Sequence, residues 1–190
     1  MATTSRYEYS MKYLIGSIKH CNRDRIDIWA KSALKYCSCQ VVLLVLDKNV
    51  PPSLLELEEI GVKIVHTPTG DEKNIDTCKW ERHFKVREYL KTINENDIVL
   101  LTDTLDVVFQ SDPFEWYENN AKKDLILTSE GIDHINEHWN MGGISSGYKE
   151  FVEEIKHNEV INSGIMMGKP AALSNILFHI YILTKKVSPL

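Results

Sequence analysis

The chain has 190 residues, 43% of them hydrophobic, and carries a formal net charge of −5. It is long enough to bury a sizeable core, and the lack of a net basic field argues against nucleic acid or an anionic membrane as partner. The longest uninterrupted apolar stretch, Val41 to Leu46, is far short of a membrane span, and the first residues lack the charged-then-apolar build of a secretory signal, so a cytosolic chain is expected.

In chain order, Tyr13 to Ile18 is a short apolar run consistent with a first buried strand, followed by a polar loop from Lys19 to Arg25. Ile26, Trp29, Ala30, Ala33, Leu34 and Cys37 recur at helical spacing. Val41 to Leu46 reads as a second buried strand. After Pro51-Pro52, Ser53 with Glu56 three residues on forms a capping box, and Gly61 closes the short helix it predicts. Val62 to Val65 is a third strand and Thr67 to Asp71 a loop. A third helix starts near Asp76-Thr77 and runs to about Ile93, with Val86, Tyr89, Leu90 and Ile93 as its apolar stripe.

That helix leads into Ile98-Val99-Leu100-Leu101, a run apolar on both faces as a helix-covered parallel strand requires. Thr102-Asp103-Thr104-Leu105-Asp106 follows at once. In an extended strand Asp103 and Asp106 would point to opposite faces, so they share one site only if the chain turns at Thr104-Leu105. Carboxylates just past the end of such a strand sit where open α/β sheets bind ligands, and hard oxygens suit Mg²⁺ or Mn²⁺. Two Asp in a tight turn that satisfies backbone donors would look the same, and the spacing leaves both readings open.

Downstream, Asp112 with Pro113 predicts a helix start. Asp124 to Thr128 reads as a strand ending at Ser129-Glu130, and Gly131 to Gly147 as a long loop. Val160 to Gly168 is a strand interrupted by Asn162-Ser163-Gly164, which implies a bulge or the close approach of a ligand. Pro170 opens a last helix with Leu173, Ile176, Leu177 and Ile180 on one face. Strands joined by helices of this length imply parallel pairing with right-handed crossovers and a single α/β domain over 1–190. The four cysteines, Cys21, Cys37, Cys39 and Cys78, have no paired metal-ligand spacing and are expected to be reduced thiols.

His134-Ile135-Asn136-Glu137-His138 matches the His-x-x-Glu-His pattern of certain zinc peptidases, a rival reading that needs both His on one helix face. The neighbouring glycines leave little room for that helix, which favours incidental histidines in a surface loop.

Taken together, Lys85-Val86-Arg87, Asp103 to Phe109, Thr128 to Glu130 and Asn162-Ser163-Gly164 before a helix resemble, in order and spacing, a glycosyltransferase of the GT-A fold. The similarity is greatest to the glycosyltransferase domain of the procollagen lysyl hydroxylases and related collagen glycosyltransferases, over roughly Tyr13 to Ile180. The resemblance implies a mostly parallel sheet flanked by helices, a UDP-sugar donor, an acceptor that is a protein or glycan, and Mn²⁺ (or Mg²⁺) held by Asp103 and Asp106. It implies that Ser17, Ile18 and Lys19 lie against the uridine, with Thr102, Thr104, Leu105 and Lys85 or Arg87 near the donor. Glu130 and Asn162 would act on the sugar or acceptor, with Ser163 and Gly164 beside them. Leu105 stands where the family often has an aromatic residue, and the family's later Asp-Gln segment and metal-binding His have no counterpart here. The expectation is therefore a fragment of a longer transferase, or a nucleotide-sugar-binding domain that is catalytically incomplete.

Overall fold

The structure is a computed structural model that describes residues 10–70 and 75–187, with side chains from 10–70 and 81–184. Six strands form one sheet: β1 (Lys12–Ile18), β2 (Gln40–Val45), β3 (Lys63–His66), β4 (Ile98–Thr102), β5 (Leu125–Asp133) and β6 (Glu159–Gly168). The helices are α1 (Arg23–Tyr36), α2 (Pro52–Leu55), α3 (Ile75–Leu90), α4 (Pro113–Asn120), α5 (His138–Gly147), α6 (Val152–Ile155) and α7 (Pro170–Val187). The spatial order is β3-β2-β1-β4-β6-β5, with β1 to β4 mutually parallel and β6 antiparallel to both β4 and β5. The mostly parallel sheet flanked by helices is thus as expected.

Strand alternation divides the core into two layers. Leu14, Ile18, Leu43, Val45, Ile98 and Leu100 face α1, α2 and α4, where they meet Ile26, Trp29, Leu54 and Phe114. Ile15, Val42, Leu44, Val99 and Leu101 face the other side and meet Val86 and Leu90 of α3 and Leu173 and Leu177 of α7. All five residues of β4 are buried, as a strand covered on both faces must be. After β1 the chain winds outward through β2 and β3, whereas β4 lies on β1's other side. The strand order therefore reverses between β1 and β4, and the crevice at their carboxyl ends is the place where such sheets take ligands.

Several local expectations need correction. Ser53 is not a cap: Pro51 takes that position, Pro52 with its preset φ begins α2, and Ser53 lies inside the helix. Glu56 instead pairs with Arg23. Gly61 does close the following 3₁₀ turn in the left-handed conformation, at φ 106°. The stretch from Gly131 to Gly147 is not a loop. β5 continues to Asp133, and α5 is nucleated by Glu137, whose carboxylate accepts from the Trp139 and Asn140 amides at 3.2 and 2.6 Å. The Asn140 and then the Trp139 amide hold that carboxyl below its usual range.

Asp112 caps α4 as expected, accepting from the Phe114 amide at 2.9 Å. Cys21, Cys37 and Cys39 are free thiols. The side chain of Cys78, and Asp71 at the end of the expected loop, lie outside the described residues. Among the described residues no helix is long and apolar enough to cross a membrane.

Candidate functional site

β1 and β4 end side by side, with Gly16 opposite Thr102 in the register. Alternation along β4 sends Thr102 toward α1, where its hydroxyl accepts from the buried Trp29 indole N–H at 2.9 Å. The next residue, Asp103, therefore faces α3. The chain then bends over 104–106, which turns Thr104 back over β1 and brings Asp106 round to the same opening as Asp103. Thr104 fits there because residue 16 has no side chain: a Cβ on Gly16 would lie 2.3 Å from Thr104 Cγ2.

The opening is a cleft of about 260 Å³ lined by Ser17, Ile18, Lys19, Cys21, Arg82, Asp103, Thr104, Leu105 and Asp106. A narrower space of about 30 Å³ continues inward from Ser17, Arg82 and Asp103 past Thr102, Ser163 and Gly164 to apolar side chains of the layer that faces α3 and α7, including Met166 and Leu177. Ten of the residues expected at the site thus line one continuous opening. Lys85 lines neither part. Glu130 and Asn162 also lie outside the lining, but near each other: Asn162 Nδ2 is 3.4 Å from Glu130 Oε1.

The interruption in β6 has a specific cause. β6 pairs with β4 only as far as Ile165 opposite Thr102, and its register against β5 slips between Met166 and Asn162. The slipped residues run alongside Asp103, whose amide donates to the Gly164 carbonyl at 2.7 Å. Asn162 Oδ1 accepts from the Gly164 amide at 2.6 Å. A Cβ on Gly164 would come within 2.4 Å of Asp103 Oδ2, so the glycine marks the close approach of a carboxylate.

Two residues that the sequence did not single out complete the site. Arg82 of α3 donates Nη1 to Asp103 Oδ1 at 2.7 Å. His83 beside it is only 4% exposed, and burial, reinforced by the Arg82 charge, lowers its pKa to about 4, so it is neutral near pH 7.

Asp103 and Asp106 are the two carboxylates lining the cleft. Among the described residues no group of three or more His, Cys, Asp or Glu could by itself hold a metal ion. Two carboxylates are nevertheless the number and type that suit Mg²⁺ or Mn²⁺ when phosphate oxygens and water complete the shell. The rival His134-Glu137-His138 arrangement is broken up: His134 lies in a 3₁₀ turn, Glu137 spends its carboxylate on the cap, and His138 begins α5.

No family model matches the chain, and no curated protein matches it in sequence. Solved structures do match. The glycosyltransferase GlyE of Streptococcus pneumoniae TIGR4 superimposes with a TM-score of 0.55 at 16% identity, over 94% of this chain and 39% of that one. Glucosyl-3-phosphoglycerate synthase of Mycobacterium tuberculosis in complex with uridine diphosphate gives 0.51 at 11% identity, over 85% and 57%. The same synthase with phosphoglyceric acid gives 0.55. The fold is that of these GT-A-type glycosyltransferases, and the chain spans well under two thirds of their length.

Proposed function

We propose that this chain is a glycosyltransferase domain that binds a UDP-sugar, with Mn²⁺ or Mg²⁺ held by Asp103 and Asp106 against the donor diphosphate. One observation carries the reading: two carboxylates and the Arg82 guanidinium line a single cleft at the switch point of the sheet. The fold shared with glycosyltransferases, one of them a complex with uridine diphosphate, supports the choice of donor.

In this reading the nucleoside lies along Ser17, Ile18, Lys19, Thr104 and Leu105, and the diphosphate lies toward Arg82. The donor sugar extends along Ser163 and Gly164 toward Asn162 and Glu130, where a protein or glycan acceptor would approach. Lys85, on α3 one turn beyond Arg82, takes at most a peripheral part in donor binding. Transfer forms a bond between an acceptor hydroxyl oxygen, which gives up its proton to water, and the anomeric carbon, and breaks that carbon's bond to the diphosphate oxygen, leaving its electron pair on the diphosphate. A divalent cation held by Asp103 and Asp106 would supply Lewis-acid stabilisation of that charge. Arg82 adds a fixed positive charge at the same end of the cleft, where charge develops on the leaving group. Ser17 and Thr104 offer hydroxyls to the ribose, and Leu105 covers the base from the solvent side.

Calorimetric titration of UDP with and without Mn²⁺ tests the reading. Binding should require the metal and be lost in Asp103→Asn and in Asp106→Asn. Binding indifferent to both substitutions would overturn it. Metal-dependent binding with no turnover of any UDP-sugar would favour a nucleotide-sugar-binding domain without transferase activity.

A further inference from the structure

His20 is the one non-glycine residue with positive φ among the described residues, at 55°. It stands two residues past the end of β1, between Lys19 and Cys21, both of which line the cleft. Residues with a side chain seldom adopt this conformation, histidine more readily than most, and such positions are stabilised by their surroundings and concentrate at functional sites.

The stabilising group is Asp47, just past the end of β2. Its two carboxylate oxygens accept from the His20 amide at 3.0 and 3.2 Å, and Oδ1 lies 3.2 Å from His20 Nδ1. Asp47 is itself held in place. Its backbone carbonyl is 2.9 Å from His66 Nε2 at the end of β3, and its carboxylate side chain is 13% exposed. The neighbouring rim residue is fixed in parallel: Lys19 Nζ donates to Thr69 Oγ1 at 2.7 Å, and that hydroxyl donates to the Leu46 carbonyl at 3.3 Å. The ends of β2 and β3 thereby hold the loop that forms one wall of the cleft.

We infer that Asp47 is a positioning residue for donor binding: by holding His20 in the left-handed conformation it sets the Lys19–Cys21 wall against which the nucleoside lies. This rests on the donor reading above. Asp47 does not line the cleft, so it acts through the loop. The diphosphate end, at Arg82, Asp103 and Asp106, is built on other elements and does not depend on it.

The test is titration of UDP and, separately, of inorganic pyrophosphate into the full chain with Mn²⁺. Asp47→Ala should weaken UDP about tenfold or more and change pyrophosphate less than about twofold, because only the nucleoside wall has moved. His20→Gly alone supplies the reference affinity for the double variant. Placed in the Asp47→Ala background it should restore most of the UDP affinity, since glycine adopts the left-handed conformation without a clamp. If Asp47→Ala does not fold, Asp47→Asn, which keeps the size and one acceptor oxygen, should weaken UDP by about threefold and spare pyrophosphate. Equal loss of both ligands, UDP binding indifferent to Asp47, or failure of the glycine rescue would overturn the inference alone. A native chain that binds no UDP would overturn the donor reading and this inference with it.

Discussion

Arg82 Nη1 donates to Asp103 Oδ1 at 2.7 Å, tying the N-terminal half of α3 to the residue that leaves β4. The two side chains are 29% and 38% exposed, so solvent screens the pair and its worth to folding is at most about 1 kcal/mol. An exposed pair of opposite charges at a ligand crevice has more to gain from a ligand that takes both partners, a cation for the carboxylate and a phosphate for the guanidinium, than from its own bond.

Arg82→Ala should therefore lower the melting temperature by no more than about 3 °C, while UDP affinity in Mn²⁺ falls about tenfold. Scanning calorimetry and titration on one preparation separate the two effects. A large drop in stability with unchanged UDP binding would mean that the pair serves the fold.

Gly164→Ala acts on the same carboxylate from the other side. The new methyl would lie 2.4 Å from Asp103 Oδ2 and 3.0 Å from Asn162 Oδ1, so Asp103 must swing away. Overpacking of this kind costs about 1–3 kcal/mol. Metal-dependent UDP binding should be lost altogether, as in Asp103→Asn, whereas a denaturant titration should still show a cooperative, folded chain. Retained binding would show that the displaced carboxylate is not a ligand.

Much of this architecture is written in the chain. The β1, β2 and β4 runs are apolar on both faces because helices cover both sides, and the stripes of α3 and α7 repeat at helical spacing. The turn at Thr104-Leu105 is required by the three-residue spacing of Asp103 and Asp106 if they are to share a site. The antiparallel β6 was not legible, because an apolar run carries no mark of its direction. α5 was hidden by its glycines and by a Glu cap, a weaker signal than Ser or Asp. Nothing in the local sequence sets Arg82 apart from Lys85 and Arg87; what distinguishes it is that a crossover helix runs antiparallel to its strands and lays its N-terminal turns, not its C-terminal ones, over the strand ends.

Thr102 marks a place where a core bond sits beneath the site. Its hydroxyl is the partner of the buried Trp29 indole N–H. Thr102→Val keeps the shape and strands that donor, which should cost about 1–3 kcal/mol of stability; Thr102→Ser, which keeps the hydroxyl, should cost less. Chemical denaturation of both variants checks the ordering, and a Val variant as stable as Ser would show that the indole finds another partner.

His83 gives the fold a pH dependence whose sign is fixed. Its pKa is lowered from 6.5 to about 4, first by burial, then by the Arg82 charge, with Asp103 opposing. Between those values the unfolded chain carries the proton and the folded chain does not, so unfolding takes up a proton and stability rises with pH. The contribution, about 3 kcal/mol, is fully present above about pH 6.5 and is lost as pH falls toward 4. The carboxyls held below their usual range, Asp27, Glu88, Glu137 and Glu153, begin from ordinary values of 3.8 or 4.5, so their losses come at lower pH. Of these groups, His83 is the one whose proton uptake falls between about pH 4.5 and 6.5. Urea denaturation across that window should show a slope in the native chain and a flattened one in His83→Gln, whatever the variant's absolute stability. An unchanged slope would mean that the imidazole reaches water or a carboxylate in the folded chain and takes up its proton there.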